Sequence, residues 1–372
     1  MRPFHAIALT LLVTVSLAAS VPAQSVTTAT NPVGFISSAV NANSSAALSF
    51  PLDNLPDFSG AVSSFTTTTI TTTGAGWTTN QFGSGSFNTT NTNPHVVRMI
   101  TGALTGRHFK ISGNTGTASA QATDTLTITG TPNLTGIAAG DQYQIIAVNT
   151  LGSVFGTANA NLKVFGPNAT TDKIKTDASN AVADNVLINV AGTWLTFWNT
   201  GSQWQRVSGG TGSQNLVVLM PEQGFLFVRH DTNPLPAFTA LGAVPIANNL
   251  VTDLPGSTNT FLANRFPIDM KLTTVPAGPG GSPPAQPGLD LNADPNWVKN
   301  ANANLADNLL LNVNGTWLTY WHTGTSSTNQ WQRVSGGTGP QNPTIKAGTA
   351  MLIVRRGSNP IVFSQTRPYG LN

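Results

Sequence analysis

Apolar residues fall at every second position over short stretches of this chain, and glycine, asparagine or proline interrupts each stretch. Phe109 and Ile111 alternate with His108, Lys110 and Ser112, and Leu126 and Ile128 alternate with Thr125, Thr127 and Thr129. A period of two puts one set of side chains on each face of a strand. Gly113-Asn114 and Gly130-Thr131-Pro132 are expected to end these two strands, and Ala139-Gly140-Asp141 to turn the chain into another over Gln142 to Val148. Phe65 to Thr73 reads as a Thr-rich strand closed by Gly74-Ala75-Gly76 before Trp77. Strong helix formers are scarce and β-branched residues abundant. The pattern predicts a mostly β, multi-domain chain of β-sandwich or barrel-like architecture.

One passage occurs twice. Ala183-Asp184-Asn185 followed by Gly192-Thr193-Trp194-Leu195-Thr196-Phe197-Trp198 returns as Ala306-Asp307-Asn308 followed by Gly315-Thr316-Trp317-Leu318-Thr319-Tyr320-Trp321. Trp204-Gln205-Arg206-Val207-Ser208-Gly209-Gly210-Thr211-Gly212 returns as Trp331-Gln332-Arg333-Val334-Ser335-Gly336-Gly337-Thr338-Gly339, with a longer loop before it. Each copy predicts a Trp-rich hairpin, the first with a loop over Asn199 to Gln203, Trp198 opposite Trp204, and Thr196 opposite Arg206. That register puts Trp194, Trp198, Trp204 and Arg206 on one face, and Trp317, Trp321, Trp331 and Arg333 on the matching face of the second copy. Two uses follow: a packed hairpin with guanidinium over indole, or an aromatic platform for sugar rings. With both hairpin faces apolar, burial between layers is the favoured one. A shorter echo links Phe50-Pro51-Leu52-Asp53 with Phe266-Pro267-Ile268-Asp269.

Composition shifts the picture toward an exported protein. Arg2, the apolar run Ala6 to Ala19 and Val21-Pro22-Ala23 before Gln24 predict a signal peptide over 1–23, too short in its apolar part for a membrane anchor. The chain has no cysteine, which excludes disulfides, thiol nucleophiles and thiolate metal sites. Charged residues are 8% of the chain, against about 25% in ordinary soluble domains, and the net charge is only +3. No Lys/Arg stripe exists to grip phosphates, so nucleic acid is not an expected partner. Beyond the signal, 24–150 is expected to form an N-terminal β domain and 151–250 the first Trp-hairpin module. A Pro/Gly-rich linker and the second module fill 251–372. Val275 to Pro284 is expected to be a linker or long surface loop with neither ladder nor helix.

Gly60-Ala61-Val62-Ser63-Ser64, Gly102-Ala103-Leu104-Thr105-Gly106-Arg107, Ile111-Ser112-Gly113-Asn114, Ala139-Gly140-Asp141 and Thr150-Leu151-Gly152 occur in an order that resembles a family of uncharacterised exported β-rich proteins of Verrucomicrobia-type bacteria. Gly224-Phe225-Leu226-Phe227-Val228-Arg229-His230 fits the same family. The resemblance implies a fold and an exported location but no activity.

Chemistry is sparse. His95, His108, His230 and His322 lack metal-site spacing and read as surface or hydrogen-bonding residues. Gly83-Ser84-Gly85-Ser86 misses the nucleophile-elbow pattern, and Gly209-Gly210-Thr211-Gly212 lacks the Lys of a phosphate loop. Asp290-Leu291-Asn292-Ala293-Asp294 opens like a calcium loop, but Pro295 stands where glycine is required, and an Asx-turn is favoured. Glu222 is the chain's single glutamate, and no pair of carboxylates is marked out. The expectation is an exported, non-catalytic structural or cell-surface protein without cofactor or metal. Its partners would be itself or a cell-surface polysaccharide, with no transmembrane helix after signal cleavage. The alternatives are a polysaccharide-binding protein using the paired Trp-rich hairpins and, third, an extracellular glycoside hydrolase. For the second of these the candidate ligand-binding residues are Trp194, Trp198, Trp204, Arg206, Trp317, Trp321, Trp331 and Arg333.

Overall fold

The computed structural model describes residues 32–85, 91–116, 123–130, 133–190, 192–210, 212–281, 284–324, 330–337 and 339–369. The expected signal segment, 1–23, lies outside them. The described chain is mostly β, built of antiparallel sheets in a sandwich-like arrangement, with one five-residue helix, Leu151–Phe155. No helix among the described residues is long and apolar enough to cross a membrane.

Each copy of the Trp passage builds a five-stranded sheet. In the first, the order is Trp204–Arg206, Thr193–Asn199, Asn185–Val190, Phe225–Val228 and Ser45–Leu48. In the second it is Trp331–Arg333, Thr316–His322, Asn308–Val313, Ala350–Val354 and Asn259–Ala263. The registers correspond: Asn185 faces Trp198 and Asn308 faces Trp321, while Val228 faces Ser45 and Val354 faces Asn259. Each sheet has a companion ribbon, Val33–Val40 with Leu235–Ala243 and Asn249–Leu254 with Ile361–Thr366. Alternation explains the burial. Val186, Ile188, Phe197, Phe225 and Phe227 turn one face of the first sheet into a core with Phe155 and Phe238. Leu309, Leu311, Tyr320, Met351 and Ile353 do the same for the second, with Phe363 and Trp297.

The sequence echo now has a place. Phe50 to Asp53 and Phe266 to Asp269 each follow the edge strand of their sheet, Ser45–Leu48 and Asn259–Ala263. The strand pairing crosses the expected boundary at 150, because Ser45–Leu48 belongs to the sheet of the first Trp passage.

Between Asp53 and Asn149 runs a curled seven-stranded sheet, ordered Pro56–Ala61, Gln142–Ala147, His95–Met99, His108–Thr115, Thr123–Thr129, Thr69–Thr73 and Ser64–Phe65. It wraps its own core of Trp77, Phe82, Val97, Ile111, Leu126 and Tyr143. Its outer face sets Val96 and Ile146 against Val218 and Met220. Gly113-Asn114 does not end its strand. Pairing shifts register between Ile111 and Gly113 and the strand runs on to Thr115, so the glycine marks a bulge. Asn114 is used inside: its side chain accepts from Phe82 N at 3.0 Å and donates to Thr78 O at 2.8 Å.

The Pro/Gly-rich stretch is a surface loop, one of the two forms expected, but it does carry a bridge and a 3-10 turn. Val275 and Gln286 exchange two backbone hydrogen bonds of 2.9 Å that close the loop at its base, and Pro279–Gly281 makes one 3-10 turn.

Candidate functional site

The hairpin register differs by one residue from expectation. Trp204 lies opposite Asn199, Gln205 opposite Trp198 and Arg206 opposite Phe197, and Thr200 N donates to Gln203 O to close a loop over 200–203. A one-residue slip moves a strand's side chains to the other face. Trp204 therefore joins Leu195 and Phe197 in the core, fully buried, its indole N–H donating to Gly156 O at 2.8 Å. Trp331 repeats this beside Trp297, donating to Asn292 Oδ1 at 3.3 Å. Trp194 and Trp198 stay together on the opposite face, with Thr196 between them, and are half-buried. The loop chemistry that decided the register, a four-residue turn held by Thr200, carries no strong sequence signature.

That opposite face is where the two sheets meet. Trp194 and Trp317 both pack edge-on to Phe261, at 5.3 and 6.2 Å between ring centres, with Ala47 and Ala350 beside them. The contacts are reciprocal, as across an approximate twofold axis. Leu48 bridges Thr349 and Gln223 bridges Leu262, while Ser49 N donates to Gly348 O and Ala263 N to Glu222 O. Gly224 stands at the closest approach: a Cβ there would lie 2.0 Å from that of Ala350. Outward along the same face, Trp198 remains half-buried while Trp321 is buried.

Arg206 and Arg333 are not stacked on the hairpin indoles. Arg206 Nε donates to Ser208 O at 2.6 Å and Arg333 Nη2 donates to Gly336 O, so each clasps its own glycine turn. The guanidinium over indole belongs instead to Arg355, 6.0 Å from the ring centre of Trp297.

Arg355 belongs to a duplicated ion pair that no catalytic pattern in the sequence marks out. Arg229 Nη1 donates to Asp184 Oδ2 at 2.5 Å and Arg355 Nε donates to Asp307 Oδ2 at 2.9 Å, with all four side chains fully buried. Backbone N–H groups complete each site: Lys175 and His230 donate to Asp184, Val298 and Arg356 to Asp307. Each arginine also caps its own loop, donating to Asn233 O or Asn359 O. Burial pushes the Asp184 carboxyl up from its ordinary value, against the pull of these donors and Arg229. The available signal was the repeated Arg-x-x-x-Asn-Pro, Arg229 to Pro234 and Arg355 to Pro360.

Of the two expected roles, hydrogen bonding is the one the described histidines take: His95 and His322 are buried, and His108 and His230 are partly so. His95 touches Asp57 at 2.7 Å, and His230 touches Ala183 O at 2.6 Å. His108 has the most unusual surroundings, since three parts of the fold meet there. It comes from the curled sheet, Glu222 from the turn entering Phe225–Val228, and Arg265 from the turn after Asn259–Ala263. Arg265 Nη2 lies 3.5 Å from His108 Nδ1, and Glu222 Oε2 lies 3.8 Å from the same nitrogen. Arginine can only donate, so Nδ1 accepts and the ring proton sits on Nε2. Burial, reinforced by Arg265 and Arg98, pulls the His108 pKa well below its ordinary value, and burial pushes Glu222 up. Behind them Arg98 pairs with Asp53 and donates to Gln144 at 2.8 Å.

His108 Nε2, Glu222 Oε2 and Thr252 Oγ1 are buried without a hydrogen-bond partner, and all three residues line one cavity of about 190 Å³ with Arg107, Asp253 and Thr260. Small-molecule sites usually occupy about 300–1,000 Å³. An imidazole beside a carboxylate can exchange protons, here with water or a small solute that fits about 190 Å³. Among the described residues no cluster of three or more His, Asp or Glu side chains could hold a metal ion. Asp290, in the calcium-like segment, accepts from the Thr274 N–H and hydroxyl.

Compared with known protein families, curated proteins and solved structures, the chain matches none.

Proposed function

We propose that this protein is an exported, non-catalytic structural component of the cell surface, made by duplicating one β unit and inserting the curled sheet into the first copy. The observation that carries this reading is where the duplicated aromatic and charged residues go. Trp204 and Trp331 fill cores, Trp194 and Trp317 hold the two sheets together around Phe261, and both Asp–Arg pairs are sealed inside. A passage kept twice for packing is what a scaffold requires.

The test is fractionation of producing cells together with activity panels on purified mature protein. The expected result is mature chain beginning near Gln24 in the surface fraction and no turnover of polysaccharide, ester or peptide. Turnover that disappears in Glu222→Gln while the thermal melt is unchanged would replace this reading with an enzymatic one.

A specific observation favours polysaccharide binding as the second reading: Trp198, outward of the contact between the sheets, is only half-buried. Retention on a polysaccharide matrix that Trp198→Ala abolishes, with stability kept, would select it. A glycoside hydrolase is third, because a 190 Å³ cavity is too small to hold the sugars on both sides of a glycosidic bond.

A further inference from the structure

The two companion ribbons occupy corresponding places, but the curled sheet roofs only one of them. Along Asn249–Leu254, Gly106 O accepts from Val251 N at 3.1 Å, and Arg107 pairs with Asp253 at 2.6 Å. Beneath this roof lies the 190 Å³ cavity of His108, Glu222 and Thr252. The position related to it by the approximate twofold axis is a wider groove of about 560 Å³ beside Val33–Val40. The two differ in chemistry as well as in cover. Glu222 O and Gly348 O accept the reciprocal bonds from Ala263 and Ser49, so Gly348 takes the place of the chain's single glutamate. Ser38, opposite Phe238, takes the place of Thr252, opposite Phe363, and a Cβ on Gly348 would lie 3.3 Å from the Ser38 hydroxyl oxygen. Glutamate and histidine occur together under the roof, and the lining of the related groove has neither. The residues that build the shared scaffold are duplicated; Glu222 and His108 are not.

His108 Nε2, Glu222 Oε2 and Thr252 Oγ1 have no protein partner, although the His108 side chain is only 2% exposed and Thr252 only 6%. Buried polar groups are hydrogen-bonded almost without exception, so the contents of the cavity supply the missing partners. With Arg265 on Nδ1, His108 Nε2 is a donor; Thr252 gives and takes; Glu222 accepts when ionised and donates when protonated. Charge is already balanced within the protein, since His108 is held neutral, Glu222 feels Arg265, and Arg107 is paired with Asp253. We propose that this cavity is a binding site for a small neutral polyol, a molecule of the glycerol and erythritol class with hydroxyls on adjacent carbons. A hydroxyl meets a donor, an acceptor and a threonine alike, and does so in either protonation state of Glu222. An anion would face the ionised Glu222, and a cation would face the His108 N–H. Size sets the rest. A cavity of about 150 Å³ accepts a molecule of about six heavy atoms, so this one accepts roughly six to eight, and a pyranose sugar of about twelve is too large. The partly exposed Arg107–Asp253 pair lines the same cavity and gives it a polar mouth.

The experiment is a titration of mature protein with glycerol, erythritol, trimethylene glycol, glucose, acetate and ammonium, followed by the backbone amide NMR signals of Val251, Thr252 and Asp253. Saturable shifts are expected with glycerol and erythritol. Trimethylene glycol, whose hydroxyls are not adjacent, is expected to bind about tenfold more weakly, as for loss of one hydrogen bond. Thr252→Val removes one hydroxyl at similar shape and is expected to weaken glycerol binding about tenfold. His108→Phe keeps a ring and removes the Nε2–H donor, with a similar loss expected, and it supplies the reading should Thr252→Val fail to fold. Ser38→Ala, in the related groove, is expected to leave binding unchanged. No saturable shift with any probe, which would mean that the cavity takes water only, overturns the proposal. So does tighter binding of acetate, ammonium or glucose than of glycerol, or glycerol binding that neither cavity variant weakens. Such a failure leaves the structural reading standing, because a scaffold requires no ligand.

Discussion

Arg355 reaches across from the end of Ala350–Val354 to donate its Nε–H to Asp307 Oδ2 at 2.9 Å, and water reaches neither side chain. Asp307 precedes the first strand of its hairpin, so this one contact fixes where two neighbouring strands begin and end. Arg229 and Asp184 make the same contact in the other sheet. A carboxylate taken out of water loses its hydration, and here an arginine and backbone N–H groups replace it.

Breaking this arrangement from one side is expected to be severe. Arg355→Met leaves the Asp307 carboxylate buried and uncompensated, at about 3–5 kcal/mol. Asp307→Asn combined with Arg355→Met removes the charge while keeping an acceptor for one of the two N–H groups of Val298 and Arg356, which donate to different carboxylate oxygens, and is expected to recover part of that loss. Chemical denaturation of both variants measures it. A double variant no better than the single would show that hydrogen-bond geometry, not buried charge, dominates. Arg229→Met is expected to behave like Arg355→Met.

Much of the strand content was legible because alternation and turn residues act locally. Phe109, Ile111, Leu126 and Ile128 fall in the strand interiors that their spacing implied. What escaped depended on partners distant in sequence. The hairpin register turned on one residue of loop geometry at Thr200. The pairing of Ser45–Leu48 with Phe225–Val228 spans the whole inserted sheet, which no local pattern can reveal. Ala183-Asp184-Asn185 has turn chemistry and names no partner; only the fold brings Arg229 to Asp184. His108 and Glu222 meet for the same reason, each unremarkable in its own segment.

Gly224 offers a test of how the two sheets meet. Gly224→Ala places a methyl 2.0 Å from the Ala350 Cβ and 2.9 Å from Leu48 O, so the sheets must shift apart. Overpacking of this kind costs about 1–3 kcal/mol. Combining it with Ala350→Gly relieves the first contact but not the second, so partial recovery is expected in thermal melts. Full recovery would mean that the Leu48 carbonyl yields without cost.

The Trp residues separate by face. Trp204→Ala and Trp331→Ala empty core positions and are each expected to cost about 3–5 kcal/mol. Trp198→Ala, at a half-buried site, is expected to cost clearly less than Trp204→Ala. Arg206→Ala is expected to stay within about 1 kcal/mol, since its visible bond is a clasp on an exposed glycine turn. Denaturant midpoints rank the series. Equal losses at Trp198 and Trp204 would contradict the observed register.

The His108 cluster gives the stability a defined pH dependence. The folded state holds this imidazole neutral, with its pKa well below the ordinary 6.5, whereas the unfolded chain protonates near that value. Between the two the unfolded state binds more protons, so the histidine's contribution is present above about pH 6.5 and is lost as pH falls toward the depressed folded value. Glu222 works in the opposite direction. Its raised pKa favours the fold at low pH, and that contribution is lost as pH rises from the ordinary carboxylate range through the raised value. Arg265, Arg98, Lys110 and Asp53 are the charged groups that act on these two. The net slope therefore mixes two groups, and the comparison must isolate one. His108→Gln keeps a polar side chain that cannot titrate, so the difference in unfolding free energy between wild type and variant is expected to move in the variant's favour as pH falls below 6.5. Glu222→Gln removes the opposing contribution and is expected to steepen the loss on acidification. Parallel curves for wild type and His108→Gln from pH 7.5 to 5 would mean that water in the cavity hydrates the protonated ring and that the fold does not hold it neutral.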